Sequence, residues 1–364
     1  MQKNDIYVIY GTKPIQMVKE LLNHAQIEKE IDPSMQIVLK PNLVVAKPSA
    51  EGATTTPEIV EGIIQYLLEH DCKKISIIEG SWIGDKTNIA FKVCGYEEIS
   101  QKYNIPLIDL QRDEYITVSR GEETLKICKK ALEADYFINI PVLKAHCQTR
   151  FTCALKNLKG CIPNSEKRRY HALGLHKPIA LLAKNLKVDL NIVDALNGDL
   201  TFEEGGNPVQ MDRIILGKDP VLTDSYCASL IGYSKKDIRY IELAEKLQVG
   251  SADLTKANII ELNSDLQNST SFQPSRRAAK LAQKVTAVDA CSACYGGLIH
   301  ALNRLDEEGK LGRITQKIYI GQGYKRKALQ GLGIGNCTSE CSSFLKGCPP
   351  KALDIVDFLS KNLN

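Results

Sequence analysis

No window of this 364-residue chain approaches the roughly 18 apolar residues of a membrane-spanning helix. The N-terminus, MQKNDIYVIYGTKPIQ, lacks both the apolar stretch and the small-residue cleavage site of a signal peptide. There is no strongly basic run: the net charge is +4, and Lys and Arg mix with Asp and Glu along the chain. The electrostatic footprint of a nucleic-acid binder is therefore missing. No G-x-G-x-x-G follows a strand, and the glycine-rich GLGIGN at Gly331–Asn336 precedes cysteines instead. Internal repeats and low-complexity segments are also absent. These absences lead us to expect a cytoplasmic protein with neither a membrane nor a nucleic-acid partner. The length favours two domains, and 43% hydrophobic with 25% charged residues is the composition of a globular protein.

Cysteine is abundant, with twelve in the chain. In the reducing cytosol a disulfide framework is not expected. Cys72, Cys94, Cys128 and Cys227 sit in mixed or apolar contexts such as SYCASLIG and read as small buried hydrophobes. The remainder form two groups: Cys147, Cys153 and Cys161 in the middle, and five after Val285.

Short apolar runs alternate with amphipathic ones. MQIVLKPNLV, KKISIIEGS, NIPLIDL, DYFINIPVLK, VDLNIVDAL and DRIILG read as strands. TPEIVEGIIQYLLEH reads as a helix, with Thr56 as cap, Pro57 in its first turn, and Ile59, Ile63, Ile64, Leu67 and Leu68 on one face. KPIALLAKNL, DPVLTDSYCASLIG and IRYIELAEKLQ are further helices. The alternation predicts an α/β fold, with a mainly parallel sheet and helices on both faces. Residues 1–262 would form this domain, and the Ser-, Asn- and Gln-rich stretch 263–280 a linker. Residues 281–364 would form a smaller cysteine-bearing α/β unit, with VTAVDACSACYGGLIHALNRL as strand, turn and helix, KIYIGQG as a strand and PPKALDIVDFLSKN as the closing helix.

Ligands of open α/β sheets bind at the carboxyl ends of strands. Cys291 and Cys294 form a C-x2-C pair in the turn before a helix, Cys337 and Cys341 a C-x3-C pair, and Cys348 precedes Pro349. Helix N-termini favour thiolates, which are metal ligands. Thiolates suit zinc or an iron–sulfur cluster, but a structural zinc site normally uses two C-x2-C hooks and only one is here. A Cys before Pro recurs at iron–sulfur centres, so a [4Fe–4S] cluster is the leading expectation, ahead of zinc and of plain structural or redox-active thiols. Cys291, Cys294, Cys337 and Cys348 are the preferred ligands and Cys341 the alternate fourth.

The second constellation spans Leu143 to Pro178 and emerges from the strand DYFINIPVLK. Lys144 and His146, two apart on extended chain, face one way. Together with Lys156 and His171 they are the candidate catalytic groups, able to hold an anion and move its proton. Lys40, Asn42, Glu79, Thr149, Asn157 and Lys159 are candidate substrate-binding residues around them. Glu203 and Glu204 precede Gly205-Gly206, a loop able to cover a site. His176 reads as a helix-start residue and Asp219 as a helix cap, while Asp224, one turn later, is open to either cleft or solvent.

The chain resembles the domain of unknown function 362 family. The motifs are KPNLV at Lys40–Val44, TTTPEIV, IIEGS at Ile77–Ser81, NIPVLKAHCQTRFTCALKNLKGCIP and ILGKDPVLTDSYCASLIGY, together with the closing cysteine region. The resemblance implies association with iron–sulfur domains and leaves the reaction open. The chain is also distantly similar to the N-terminal domain of the lactate racemase family, which holds a nickel-pincer nucleotide through His and Lys. That similarity implies analogous places for Lys144, His146, Lys156 and His171, although Cys147 and Cys153 interrupt its pattern and its glycine-rich stretch is missing.

Three functions stand as expectations: an iron–sulfur redox enzyme acting on a small anionic substrate; an electron carrier or cluster-binding partner without its own substrate; and a metal-dependent isomerase or lyase of the racemase type, with nickel as its metal. The partners expected are the anionic substrate or a redox protein.

Overall fold

The computed structural model describes residues 1–120, 123–267, 272 and 277–363, and the side chains of Arg120, His171, Ala172 and Ala279 lie outside that description. The chain divides into two compact units, Met1–Lys167 with His176–Pro274, and Arg168–Leu175 with Ser275–Asn364.

Strands of the first unit, in chain order, are β1 (Asp5–Tyr10), β2 (Ile37–Pro41), β3 (Ile75–Glu79), β4 (Leu107–Asp109), β5 (Tyr115–Arg120), β6 (Glu123–Cys128), β7 (Tyr136–Ile140), β8 (Lys144–His146), β9 (Arg150–Thr152), β10 (Leu190–Asp199), β11 (Pro208–Gly217) and β12 (Asn258–Glu261). Eight of them make one sheet in the order β12-β1-β11-β10-β7-β2-β3-β4. β10, β7, β2, β3 and β4 pair in parallel, while β11 runs antiparallel to both of its neighbours, β10 and β1. β5–β6 and β8–β9 are separate antiparallel pairs.

All five residues of β2 and of β7 are buried. Their mainly apolar runs, interrupted by Lys40 and Asn139, suit strands covered on both faces. The helix Pro57–Glu69 buries Ile59, Ile63, Ile64 and Leu67, the stripe expected at helical spacing. It crosses the helix Pro14–His24 closely: a Cβ on Gly62 would lie 2.4 Å from Val18 Cγ1. Thr56 stands at the cap position without a capping side-chain bond. The Asp194 carboxylate accepts from the Thr56 N–H at 2.7 Å. Asp219 does cap its helix, accepting from the Val221 and Leu222 N–H groups. A helix begins at His176, and Cys72, Cys94, Cys128 and Cys227 are all buried.

The second unit holds β13 (Val285–Ala287), β14 (Ile318–Ile320), β15 (Leu329–Ile334) and β16 (Cys341–Leu345), parallel and adjacent in that order. The helix Ser292–Glu307 connects β13 to β14, and the helix Ala352–Ser360 closes the chain. Short 3₁₀ turns, Gln322–Tyr324 and Asn336–Thr338, take the place of helices in the other two crossovers. Among the described residues no helix is long and apolar enough to cross a membrane.

Candidate functional site

The carboxyl edge of the first sheet carries the candidate residues of the first unit. β7 ends at Ile140, so Lys144 and His146 do not extend it as the sequence suggested. They form the separate strand β8, in register with Thr152 and Arg150 of β9. Both are buried, and both reach Glu203. The Lys144 ammonium donates to the carbonyls of Ala53 (2.5 Å) and Glu203 (3.0 Å). His146 Nε2 faces Glu203 Oε2, which also pairs with Lys156 Nζ at 3.4 Å.

The hydrogen bonds assign the imidazole tautomer. His146 Nδ1 accepts from the Gln148 N–H (3.0 Å) and the Thr149 N–H (3.1 Å). A ring nitrogen that accepts two donors carries no proton, so the proton is on Nε2, toward the Glu203 carboxylate. Burial, with Lys156 and Lys159 adding to it, lowers the His146 pKa to about 3. Burial lowers Lys144 to about 7, the range in which an amine exchanges protons near neutrality. Burial alone would raise the Glu203 carboxyl, but His146, Lys156 and Lys144 hold it well below the usual carboxylate range. The cluster is thus a neutral imidazole whose Nε2 lies against a carboxylate without a well-formed hydrogen bond, with two lysines beside it. Glu203 Oε1 is buried with no hydrogen-bond partner among the described residues.

His146, Cys147 and Glu203 also form a group able to hold a metal ion, with ligand atoms within 4.8 Å of one another. Ligation at Nε2 would have to remove the proton there and oppose two backbone donors at Nδ1. Burial holds the Cys147 thiol well above its ordinary pKa. The arrangement as folded fits proton chemistry better than metal chemistry.

Lys40, Glu79 and Asn157 satisfy one another. Lys40 Nζ lies 2.9 Å from Glu79 Oε2 and 3.4 Å from Asn157 Oδ1, all fully or almost fully buried. Glu79 also accepts from the N–H groups of Leu43 and Gly80. Asn157 Nδ2 donates to Asn139 Oδ1 at 2.8 Å. Gly160 is required here, because a Cβ would fall 2.0 Å from Glu79 Oε1. Asn42 Oδ1 accepts from the Val44 N–H, and the Thr149 hydroxyl donates to the Phe151 carbonyl. Lys159 is half-buried on the 3₁₀ turn Leu158–Cys161. The His171 side chain lies outside the described residues. Asp224 faces neither cleft nor solvent: it is buried and accepts from the Ala154 and Leu155 N–H groups, holding the start of the helix Ala154–Asn157.

The roles of two residues of this region escaped the sequence reading. Glu203 was legible only as part of a Glu-Glu-Gly-Gly loop. Lys167, buried and donating to the carbonyls of Gly80 and Ser81, gave no signal beyond its charge.

In the second unit, the loops after β13, β15 and β16 carry four cysteines to one sheet edge. Cys291 is the N-cap of the helix Ser292–Glu307 and Cys294 lies in its first turn. The loops are stitched in pairs. Gln322 and Gly323 N–H groups donate to the Asp289 and Val288 carbonyls. Gly335 and Asn336 N–H groups donate to Leu345 and Gly347 carbonyls, and the Gly347 N–H returns to Asn336 Oδ1 at 2.8 Å. Gln322 Nε2 donates to Cys291 Sγ at 3.7 Å and to the Arg168 carbonyl at 3.4 Å.

Electrostatics identify which thiols are neighbours. Burial raises the Cys291 thiol, and Cys337 and Cys348 raise it further. Burial raises Cys294 to about 12, with Cys291, Cys348 and Cys337 adding to it. Burial and Cys348 also raise Cys337, against the opposing charge of Lys325. Cys341 is raised by burial alone. It opens β16, opposite Leu329, whereas Cys348 follows the far end of that strand. The strand itself is roughly 13 Å long, at about 3.3 Å per residue. Cys341, expected within reach of the set, stands apart from it.

The chain belongs to the DUF362 family. The family's model, described as "Domain of unknown function (DUF362)", matches residues 37–229. KPNLV, the central loop, Glu203 and Asp224 all fall inside that span, and Cys291–Cys348 fall outside it. The thylakoid-associated protein sll1697 of Synechocystis sp. is 29% identical over 188 residues, 50% of this chain and 57% of that protein. The lactate racemase apoprotein from Thermoanaerobacterium thermosaccharolyticum aligns at a TM-score of 0.37 with 12% identity, over 66% of this chain and 56% of that one. A crystal structure of a Thermotoga maritima protein aligns at 0.37 with 15% identity, over 65% and 60%. At these scores neither likeness carries an argument about activity.

Proposed function

We propose that the protein is an iron–sulfur redox protein. Cys291, Cys294, Cys337 and Cys348 hold a [4Fe–4S] cluster, and Lys144, His146 and Lys156 serve a small anionic substrate in the first unit. The observation that carries the reading is the gathering of four cysteines at one sheet edge, where the Cys291, Cys294 and Cys337 thiols are raised by burial and by their cysteine neighbours, Cys348 among them, while Cys341 is raised by burial alone. Thiols grouped this way repel one another once ionised, and an iron–sulfur cluster removes that penalty by taking four thiolates at separate irons.

Spacing supports a cluster over zinc. Tetrahedral zinc at about 2.3 Å from each sulfur draws four sulfurs to about 3.8 Å of one another. Among the described residues no three of these sulfurs lie within 4.8 Å of one another. A cluster binding one thiolate at each of four corners suits the wider set. When bound, it supplies one-electron chemistry.

At the substrate site, Lys156 would bind a carboxylate or phosphate, and Lys144, lowered to about 7, would exchange the proton. One observation favours the alternative of an electron carrier without its own substrate: the Glu203 carboxylate already lies between His146 and Lys156.

The test is anaerobic isolation followed by iron, sulfide and zinc analysis and an absorbance spectrum. A brown protein with near-stoichiometric sulfide is expected. Colourless protein with one zinc per chain would overturn the reading.

A further inference from the structure

Charge is divided unevenly between the two units, which the near-neutral total conceals. Arg168–Leu175 with Ser275–Asn364 carries 16 Lys and Arg against 7 Asp and Glu, a net +9. The rest of the chain carries 31 against 36, a net −5. Within the second unit, three of the seven acids, Asp306, Glu307 and Glu308, sit together at the C-terminal end of the helix Ser292–Glu307 and pair there with Arg277, Arg304 and Lys310. That helix starts at the carboxyl edge of the sheet and runs away from it, so its acids lie toward the opposite edge.

The carboxyl edge is left basic. The loop after β14 reads Lys325-Arg326-Lys327, all exposed. The loop after β16 has exposed Lys346 two residues before Cys348, and exposed Lys351 three after it. None of these five has an ion-pair partner among the described residues; the acids nearest to them in the chain are Asp289, Glu340 just before β16, and Asp354 in the first turn of the closing helix, so cations outnumber acids along these loops. Lys325 acts directly on Cys291 and Cys337, and Arg168 acts on Cys291. Cys348 itself is exposed. The four thiols and the basic rim therefore share one face, and Cys348 is the most exposed of the four.

We infer that this carboxyl edge is the docking face for an acidic one-electron carrier protein, recognised by Arg168, Lys325, Arg326, Lys327, Lys346 and Lys351. A rim of unpaired cations steers an acidic partner and sets its orientation. The exposed Cys348 brings the cluster to the contact. The exchange moves one electron from the reduced carrier to the cluster held by the four thiolates. No bond forms or breaks, and no proton is transferred. The inference rests on the cluster reading for its purpose but not for its geometry.

The test is calorimetric titration of the anaerobically isolated full chain with an oxidised plant-type [2Fe–2S] ferredoxin, an acidic carrier, as the probe. Wild type should bind, and binding should weaken about tenfold between about 50 and about 200 mM NaCl. Lys327→Glu/Lys346→Glu/Lys351→Glu, which spares Lys325 beside the thiols, should weaken it at least about tenfold. Its iron content and bleaching by dithionite should be unchanged. Lys73→Glu/Lys86→Glu/Lys92→Glu, the same charge change on the first unit, should bind within about twofold of wild type. Absent binding, an unaffected edge variant, an equal loss in the control, or displacement of the ferredoxin by an equimolar single-stranded oligonucleotide would each overturn the docking face. Binding retained in protein without iron would overturn the cluster reading while supporting the face.

Discussion

The two units gather reactive groups in opposite ways. In the first, opposite charges are brought together: Lys40 with Glu79, and Lys156 with Glu203. In the second, like groups are brought together: Cys291, Cys294, Cys337 and Cys348 act on one another, with Lys325 and Arg168 as the charged groups acting on them. A paired set neutralises itself and can stay buried without a guest. A set of like ligands is stable as ions only with a cation among them. The contrast separates a site that holds itself together from one built around something else.

The comparison breaks most readily at the thiols. Cys294→Ala or Cys337→Ala should lose nearly all iron and sulfide, while Cys341→Ala keeps both, as read by metal and sulfide analysis of anaerobic protein. Loss in Cys341→Ala equal to that in Cys337→Ala would show that the four-thiol grouping is wrong. Because the thiols must give up protons to bind, cobalt(II) affinity of cluster-free protein should rise steeply with pH toward the thiol range. A flat profile between pH about 6 and about 9 would contradict ligation by these thiols.

The next largest effect belongs to the self-paired network. Glu79→Ala leaves the Lys40 ammonium buried and unpaired, at a cost of about 3–5 kcal/mol in denaturant unfolding. The double variant Lys40→Met/Glu79→Leu should lose markedly less than the two single losses added. Strict additivity would mean the pair does not act as a unit.

A smaller effect concerns pH. The folded pKa of Lys144, about 7, lies below its ordinary value of 10.5, so the folded state binds fewer protons than the unfolded one between those values. Its contribution to stability is therefore full above about pH 10.5 and is lost as pH falls toward about 7. Lys144→Met should flatten that rise, and an unchanged slope in the variant would contradict the shift. His146 should remain neutral with its proton on Nε2 from pH 8 to pH 5, as read by nitrogen NMR shifts. A titration near the ordinary value of 6.5 would contradict its burial.

The smallest effects are expected at the scattered buried cysteines. Cys72→Ala, Cys94→Ala and Cys227→Ala should each cost roughly 1 kcal/mol and leave iron content intact. Loss of iron in any of them would erase the division between structural and ligating thiols.

By itself the sequence determined what local spacing controls. The apolar runs IVLKP, ISIIE and YFINI became buried parallel strands, and the stripe from Ile59 to Leu67 became one helix face, because residues two apart on a strand or four apart on a helix share a side. The Cys291-x2-Cys294 pair fell at a helix start for the same reason. Only the tertiary structure decided which distant groups meet. Glu203 reaches His146 because the loop after β10 folds over β8, and no periodicity records that closure. Asp224 proved to hold the helix start at Ala154, and Asp194 proved to accept from the Thr56 N–H. Cys341 lies nearer Cys337 in sequence than Cys348 does, yet a strand separates it from Cys348, while backbone bonds between Asn336 and Gly347 draw the more distant cysteine in. Contacts of this kind depend on where strands end and which loops pair, and these are properties of the whole sheet.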